Sequence, residues 1–454
     1  MATILGANSD SGYEISNSLR FNDDDSARLL RAQSNGDQDK WTWSGWVKRS
    51  NISSTQCFFA TTDGSATSFD AKFDSSDRIE VYNYFGGGFD SKLVSNRVFR
   101  DVGAWYNIQV VYDSGNSTEA HRLRIYVNGT ELDSFSTTNY PSLNADSDLN
   151  VSGSNIEIGR QSNGSQFFDG YMSDVYLVDG QALAPTDFSE TNENGVWVPK
   201  EYTGTYGTNG FKLEFQQTGT SANSSGLGAD TSGNDNHFTP TNFAAHDVVT
   251  DTPTNNFCTL NSLDTRDTLS EGNLKRVSPQ GASTSTISVG SGKWYVEFLV
   301  VTQGAILSGF VEDGYATHGN AQPHDHGDNA LFYTSTGQKI INNTFSSYGN
   351  TASAGDIVGC AFDLDNDTAQ FFINNSSQGT FSKTYTTGAS YFFAASDVTT
   401  ATNSTDFINF GHDSSFAGAK TAQNNSDDNG HGDFYYSPPS GFLAICTKNV
   451  AETG

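Results

Sequence analysis

The sequence predicts an all-β protein built from two antiparallel β-sandwiches joined by an ordered, Gly/Ser/Asn-rich connector. Three observations carry this prediction. Apolar and polar residues alternate with period two over many short runs, which is the side-chain period of a strand. Aromatic residues make up 13% of the chain while Met numbers only 2, and 45 glycines, with Ser, Thr, Asn and Asp, fill the gaps between apolar runs. β-formers separated by turn-formers are the texture of a turn-rich sheet protein, and a helical bundle is excluded. The length, 454 residues, exceeds one ordinary domain.

The elements follow in order. Trp41, Trp43 and Val47 fall on one face of a strand, and Ile108, Val110 and Tyr112 share a face against Asn107, Gln109 and Asp113. Leu123, Ile125 and Val127 oppose Arg122 and Arg124, and this run ends in Asn128-Gly129, a pair that tolerates positive φ and makes a tight hairpin turn. Ile156 and Ile158 flank Glu157, and Tyr171 to Val178 is a further strand. A second set begins where Trp294, Val296 and Phe298 share a face, and continues through Asp356 to Leu364 and Gln370 to Ile373. Between the sets, Phe211, Leu213 and Phe215 alternate with Lys212 and Glu214, but Thr218 to Asn236 is a polar, Gly-rich run. The expected organisation is a first sandwich over 1–198, a partly β connector over 199–262 and a second sandwich over 263–454.

Charge narrows the function. Lys and Arg number 24 against 52 Asp and Glu, a formal charge of −28. Such a surface repels nucleic acid and the anionic membrane leaflet, and no basic cluster interrupts it. No apolar run reaches the length of a membrane span or of a signal peptide, so the expectation is synthesis in a cytoplasm without a leader and no membrane insertion. Cys57, Cys258, Cys360 and Cys446 lie far apart with apolar neighbours and read as buried thiols.

The first half resembles a laminin-G-like, concanavalin-type jelly roll through Trp41-Thr-Trp-Ser-Gly-Trp-Val47, Trp105-Tyr-Asn-Ile-Gln-Val-Val-Tyr112, Arg124-Ile-Tyr-Val-Asn-Gly129 and Phe168-Asp-Gly-Tyr-Met-Ser-Asp-Val-Tyr176. The second half resembles a SPRY domain through Gly292-Lys-Trp-Tyr-Val-Glu-Phe298, Gly355-Asp-Ile-Val-Gly-Cys-Ala-Phe-Asp-Leu-Asp365, Gln370-Phe-Phe-Ile-Asn374 and Ile408-Asn-Phe-Gly411, with Asn375 where the last hairpin usually has glycine. Further segments, Ser18-Leu-Arg-Phe-Asn-Asp-Asp-Asp25, Val196-Trp-Val-Pro-Lys200, Tyr206-Gly-Thr-Asn-Gly210, Leu227-Gly-Ala-Asp-Thr-Ser-Gly233 and Pro438-Pro-Ser-Gly-Phe442, are similar to virion-associated proteins of tailed bacteriophages. The resemblance implies jelly-roll sandwiches displayed on a virion surface, in contact with other virion proteins of tail, baseplate or capsid and oligomeric there.

Several residue groups invite chemistry. Tyr82, Tyr84, Phe85 and Phe89, with Trp197, Tyr202 and Tyr206, offer rings for stacking on sugars, though such rings also serve as core. Asp230, Asn234 and Asn236 offer oxygens to calcium, or form a plain polar turn. His318, His324 and His326 form a cluster that reads as a metal or pH-sensitive site or as a solvated loop. Asp363, Asp365 and Asp367 have the i, i+2, i+4 spacing of paired catalytic acids, but the same residues end a strand and favour a turn. No Gly-x-Ser-x-Gly, phosphate loop or dinucleotide fingerprint is present. The expected function is therefore a non-enzymatic virion structural protein that needs no cofactor, a tail-fibre or receptor-binding component contacting host-surface glycans. Capsid decoration is the alternative, and a polysaccharide depolymerase the third.

Overall fold

A computed structural model of the chain describes residues 12–63, 67–278, 280–314, 322–325, 328–398 and 403–453. It is almost entirely β, as the alternation requires, and divides into two compact units, Asp10–Thr254 and one containing Asn255–Gly454.

In the first unit an eight-stranded antiparallel sheet is ordered Thr130–Glu131, Leu123–Val127, Trp105–Asp113, Lys40–Arg49, Gly170–Asp179, Ser18–Phe21 and Val248–Val249, with Phe211–Leu213 also pairing to Gly170–Asp179. A second eight-stranded sheet is ordered Phe135–Asn139, Gly88–Val98, Arg78–Phe85, Ser68–Phe73, Gln56–Thr62, Asn155–Ile158, Arg28–Ala32 and Thr239–Thr241. The predicted faces meet in one core: Trp41, Trp43 and Val47 with Ile108, Val110 and Tyr112 from the first sheet, and Phe59, Phe69 and Val81 from the second. Trp41 stacks on Tyr112 with ring centroids 5.6 Å apart and meets Phe69 edge-on at 4.8 Å. Asn128 and Gly129 take φ of 49° and 75°, so the chain reverses in two residues and Thr130 pairs with Val127.

Residues 199–262, read as a partly β connector, contribute strands to both units. Phe211–Leu213, Thr239–Thr241 and Val248–Val249 add to the sheets of the first unit, whereas Leu260–Thr265 pairs with Ala282–Val289 in the second. Phe211–Leu213 follows the alternation seen in the sequence, and Phe211, Leu213, Phe215, Phe238 and Phe243 enter the first unit's core, whereas Thr239–Thr241 and Val248–Val249 are too short to show a period. Buried ion pairs from Lys48 to Asp251 at 2.8 Å and from Arg20 to Asp247 at 3.2 Å fasten the end of this segment to the sheet.

The second unit packs a seven-stranded sheet, centred on Tyr391–Asp397 and Ile306–Glu312, against an eight-stranded one centred on Lys293–Thr302. Trp294, Val296 and Phe298 enter the core between them with Phe310, Phe362 and Phe371. Tyr295 and Glu297 point to the opposite face, where Tyr435 and Tyr436 reach the Glu297 carboxyl. All four cysteines are buried free thiols. Among the described residues no helix is long and apolar enough to cross a membrane.

Candidate functional site

One end of the first sandwich opens into a groove of about 510 Å³ whose wall includes Asp63, Asn83, Phe85, Asp90, Asp146 and Asp148. The strand period explains how these side chains arrive there. On Arg78–Phe85, Ile79 and Val81 point into the core. Asn83 and Phe85 continue the same row past the end of the packed interior. Asn83 is 2% exposed and Phe85 69%, so the row passes from core through groove wall to solvent. On the neighbouring strand Gly88–Val98 the register shifts between Asn83 opposite Ser91 and Tyr84 opposite Phe89. Asp90 is thereby left out of the ladder, and the bulge turns its carboxylate to the groove.

The remaining wall is the loop before Asn155–Ile158. Ser147 is fixed by the Trp41 indole N–H at 2.9 Å and donates to the Gln38 carbonyl at 2.9 Å. The Tyr112 hydroxyl donates to the Ala145 carbonyl at 2.9 Å. The Asp148 backbone N–H donates to Asn83 Oδ1 at 3.0 Å, and its carboxylate accepts the Thr61 hydroxyl at 3.2 Å and the Thr67 hydroxyl at 2.9 Å. Burial pushes the Asp148 carboxyl up to about 6, with the charges of Asp63 and Asp70 adding to the rise and the two threonine bonds opposing it. Burial, then contact with Asp146, also raises Asp39 behind the wall. The site is thus an acidic, hydroxyl-lined cleft with an aromatic ring at its mouth.

Residues 21–187 match the model of the concanavalin A-like lectin/glucanases superfamily, and residues 293–410 match the SPRY domain. The chain carries a concanavalin A-like domain followed by a SPRY domain. Domains of these two kinds point to carbohydrate or protein binding. Among solved structures, a putative carbohydrate binding protein from Bacteroides ovatus is 14% identical with TM-score 0.35, the match covering 50% of this chain and 58% of that one. The SPRY domain of human HERC1 is 14% identical with TM-score 0.29 over 33% of this chain and 96% of that one. A heptameric SAP-like pentraxin from Limulus polyphemus is 14% identical with TM-score 0.28 over 38% and 80%.

The aromatic residues singled out in the sequence separate in the concanavalin A-like domain. Phe85 and Phe89 are exposed at the tip of one hairpin, with Tyr84 edge-on to Phe89 at 5.3 Å. Tyr82 is buried on the opposite face of its strand, its hydroxyl accepting the Gln161 amide at 2.8 Å, so it offers no ring to the groove. Trp197 lies in a small two-stranded sheet with Ser189–Thr191, and Tyr202 and Tyr206 lie in the irregular segment that follows it. Trp197 covers Gly129 and donates to Asn107 Oδ1 at 3.1 Å, while Tyr202 is buried between Phe188 and Tyr206. Their rings pack on the sheet and do not join the groove.

Asp230, Asn234 and Asn236, read as oxygen donors for calcium or as a plain polar turn, lie in a loop bound to its own backbone. Asp230 accepts the backbone N–H groups of Lys212, Ser232 and Asn236 and the Ser232 hydroxyl, all at 2.9 Å. Asn234 and Asn236 turn their amide NH₂ groups to the carbonyls of Gly207, Thr208 and Gly210. The Asp230 oxygens are engaged in holding backbone, and among the described residues no three His, Cys, Asp or Glu side chains converge to hold a metal.

In the SPRY domain, Asp363 pairs with Thr368 across a hairpin, accepts the Asn366 amide at 2.9 Å and meets Lys293 at 3.2 Å. Asp365 accepts the Gly292 N–H and Asp367 the Tyr385 N–H, each at 2.9 Å, so the three acids diverge as a turn. His324 lies in a short helical turn, its ring 5.5 Å from Phe345. His318 and His326 lie outside the described residues.

Sequence reasoning missed Asp63, Asn83, Asp90, Asp146 and Asp148. They come from four separate stretches, and only the run Asn144-Ala-Asp-Ser-Asp148 concentrates acid locally.

Proposed function

We propose that the chain is a non-enzymatic binding protein, a tail-fibre or receptor-binding component of a tailed-phage virion, whose concanavalin A-like domain holds host-surface glycans in the groove. The observation that supports the glycan reading is the groove itself. Phe85 supplies an apolar face for a sugar ring, and the carboxylates and the Asn83 amide supply partners for hydroxyl groups. The virion reading rests on the sequence segments similar to phage surface proteins. The non-enzymatic reading rests on the sequence, which lacks the Glu-x-Asp-x-Glu carboxylate pattern of jelly-roll glucanases.

Binding of the purified full chain to a glycan array, repeated with Phe85→Ala, tests the reading. Phe85-dependent capture of oligosaccharides without release of reducing ends is the expected result. Release of reducing ends from a bound polysaccharide would make the protein a depolymerase and overturn it. Antibody labelling of intact particles tests the placement: label at the tail is expected, and label spread regularly over the shell would make the chain a decoration protein.

A further inference from the structure

The groove is lined by acid. Four aspartates line it, Asp63, Asp90, Asp146 and Asp148, and among the described residues no Lys, Arg or His side chain does. The nearest cation on the Asp90 strand, Lys92, is engaged on the other face of the sheet, 2.9 Å from Glu80 and over the Phe89 ring at 4.4 Å. Asp90 Oδ2 is enclosed and has no hydrogen-bond partner among the described residues.

Asn83 adds an independent observation. Its side chain is buried, its Oδ1 is held by the Asp148 N–H, and its amide Nδ2, on the groove wall, makes no hydrogen bond to a described residue. A fixed donor therefore faces the cleft beside carboxylates that only accept. The acids are spread around the wall and do not gather at one point, since no three of the described titratable or thiol side chains could share a metal. Spread carboxylates, one fixed donor and an exposed ring at the mouth match a ligand of sugar size that brings hydroxyl groups, a ring oxygen and positive charge.

We infer that the groove selects a glycan whose sugars carry free amines, in preference to neutral or N-acetylated glycans. This rests on reading the groove as a glycan site. An ammonium group between Asp90 and Asp146 supplies the missing counter-charge and makes charge-assisted hydrogen bonds, roughly twice as strong as neutral ones. Its charge also offsets the field of the neighbouring carboxylates, because an opposite charge favours the ionised carboxylate. N-acetylation removes the charge and adds bulk where the wall offers an unpaired carboxylate oxygen.

Titration calorimetry of the full chain at about pH 6, where the sugar amine is largely protonated, decides the matter. The probes are oligosaccharides of glucosamine and of galactosamine with free amines, and their N-acetylated counterparts. The expected result is at least about tenfold tighter binding of a free-amine oligosaccharide, lost in the double variant Asp90→Asn/Asp146→Asn and weakened in Phe85→Ala. Circular dichroism confirms that each variant is folded. Equal or tighter Phe85-dependent binding of the N-acetylated form would overturn the amine inference and leave the glycan site standing. Binding of neither form would overturn both. Free-amine binding that ignores all these substitutions would reduce the effect to general attraction to an acidic surface, and overturn the inference as well.

Discussion

Glu297 and Lys48 show what single buried charges do in this chain. Glu297 is fully buried and accepts the backbone N–H groups of Tyr435 and Tyr436 at 2.8 Å each and the Tyr295 hydroxyl at 3.2 Å. Burial pushes its carboxyl from 4.5 up to about 7, against the pull of those bonds. Because the folded value lies above the unfolded one, the native state holds the proton more tightly between these two pH values, and the group's contribution to stability falls as pH rises across that window. The shift corresponds to about 3 kcal/mol. In urea titrations of the SPRY unfolding transition, Glu297→Gln is therefore expected to flatten the decline of stability between about pH 5 and about pH 8. Parallel slopes for variant and wild type would rule out Glu297 as the source. Lys48 is a different case. Asp251, itself buried, meets Lys48 Nζ at 2.8 Å and the Trp105 indole at 3.3 Å. Lys48→Met strands a buried carboxylate, and the expected loss in the concanavalin A-like domain is about 3–5 kcal/mol, read from denaturant midpoints. Lys48→Met/Asp251→Asn recovers part of it, since the stranded charge and not the missing methylenes dominates the loss.

At the scale of elements, the hairpin of Arg78–Phe85 and Gly88–Val98 joins fold to site. Its body is closed by Ile79, Val81 and Leu93 in the core, and its tip, Phe85 to Phe89, projects from that support. Phe85→Ala removes a ring that is 69% exposed. The variant is therefore expected to lose under about 0.5 kcal/mol of stability, as is usual for surface positions, while glycan affinity falls by about tenfold or more if the ring stacks on sugar. The same hairpin shows how far the sequence could be read. Period two placed Trp41, Ile108, Leu123 and Trp294 on their inner faces, because alternation survives whenever one side of a strand is buried. It also makes the row from Ile79 to Phe85 intelligible. The bulge that re-aims Asp90 leaves no trace in composition, and the loop carrying Asp146 and Asp148 is placed by contacts with Trp41, Thr61, Tyr112 and Asn83 that are distant in the chain. The aromatic residues misled for a related reason: Tyr82 and Tyr202 occur in ring-rich runs, but whether a ring stacks on ligand or on its own sheet depends on neighbours supplied from elsewhere. In 199–254 the alternation of Phe211, Leu213 and Phe215 is legible and those residues enter the core, whereas the two- and three-residue strands Val248–Val249 and Thr239–Thr241 leave no period to read.

The whole molecule carries a formal charge of −28, and that field acts on stability as well as on ligands. Like charges held at a compact surface repel, and the repulsion relaxes on unfolding, so net charge of this size works against the folded state. Mobile salt screens charges farther apart than about 8–10 Å at near-physiological ionic strength, whereas enclosed pairs such as Lys48–Asp251 and Arg276–Asp406 are screened far less. Added salt therefore removes more repulsion than attraction in this protein. At about pH 8, where the carboxylates are ionised, raising sodium chloride from about 0.01 M to about 0.3 M is expected to raise Tm by a few degrees. The effect should shrink as pH approaches the isoelectric region near 4.4, where the repulsion vanishes and solubility passes through its minimum. Scanning calorimetry over this grid of salt and pH gives the sign directly. A Tm that falls with salt at high pH would mean that surface ion pairs, and not net repulsion, dominate the long-range electrostatics. The same screening should slow capture of cationic oligosaccharides and leave neutral ones unaffected, because only the former are steered by the field that the acidic surface projects around the groove.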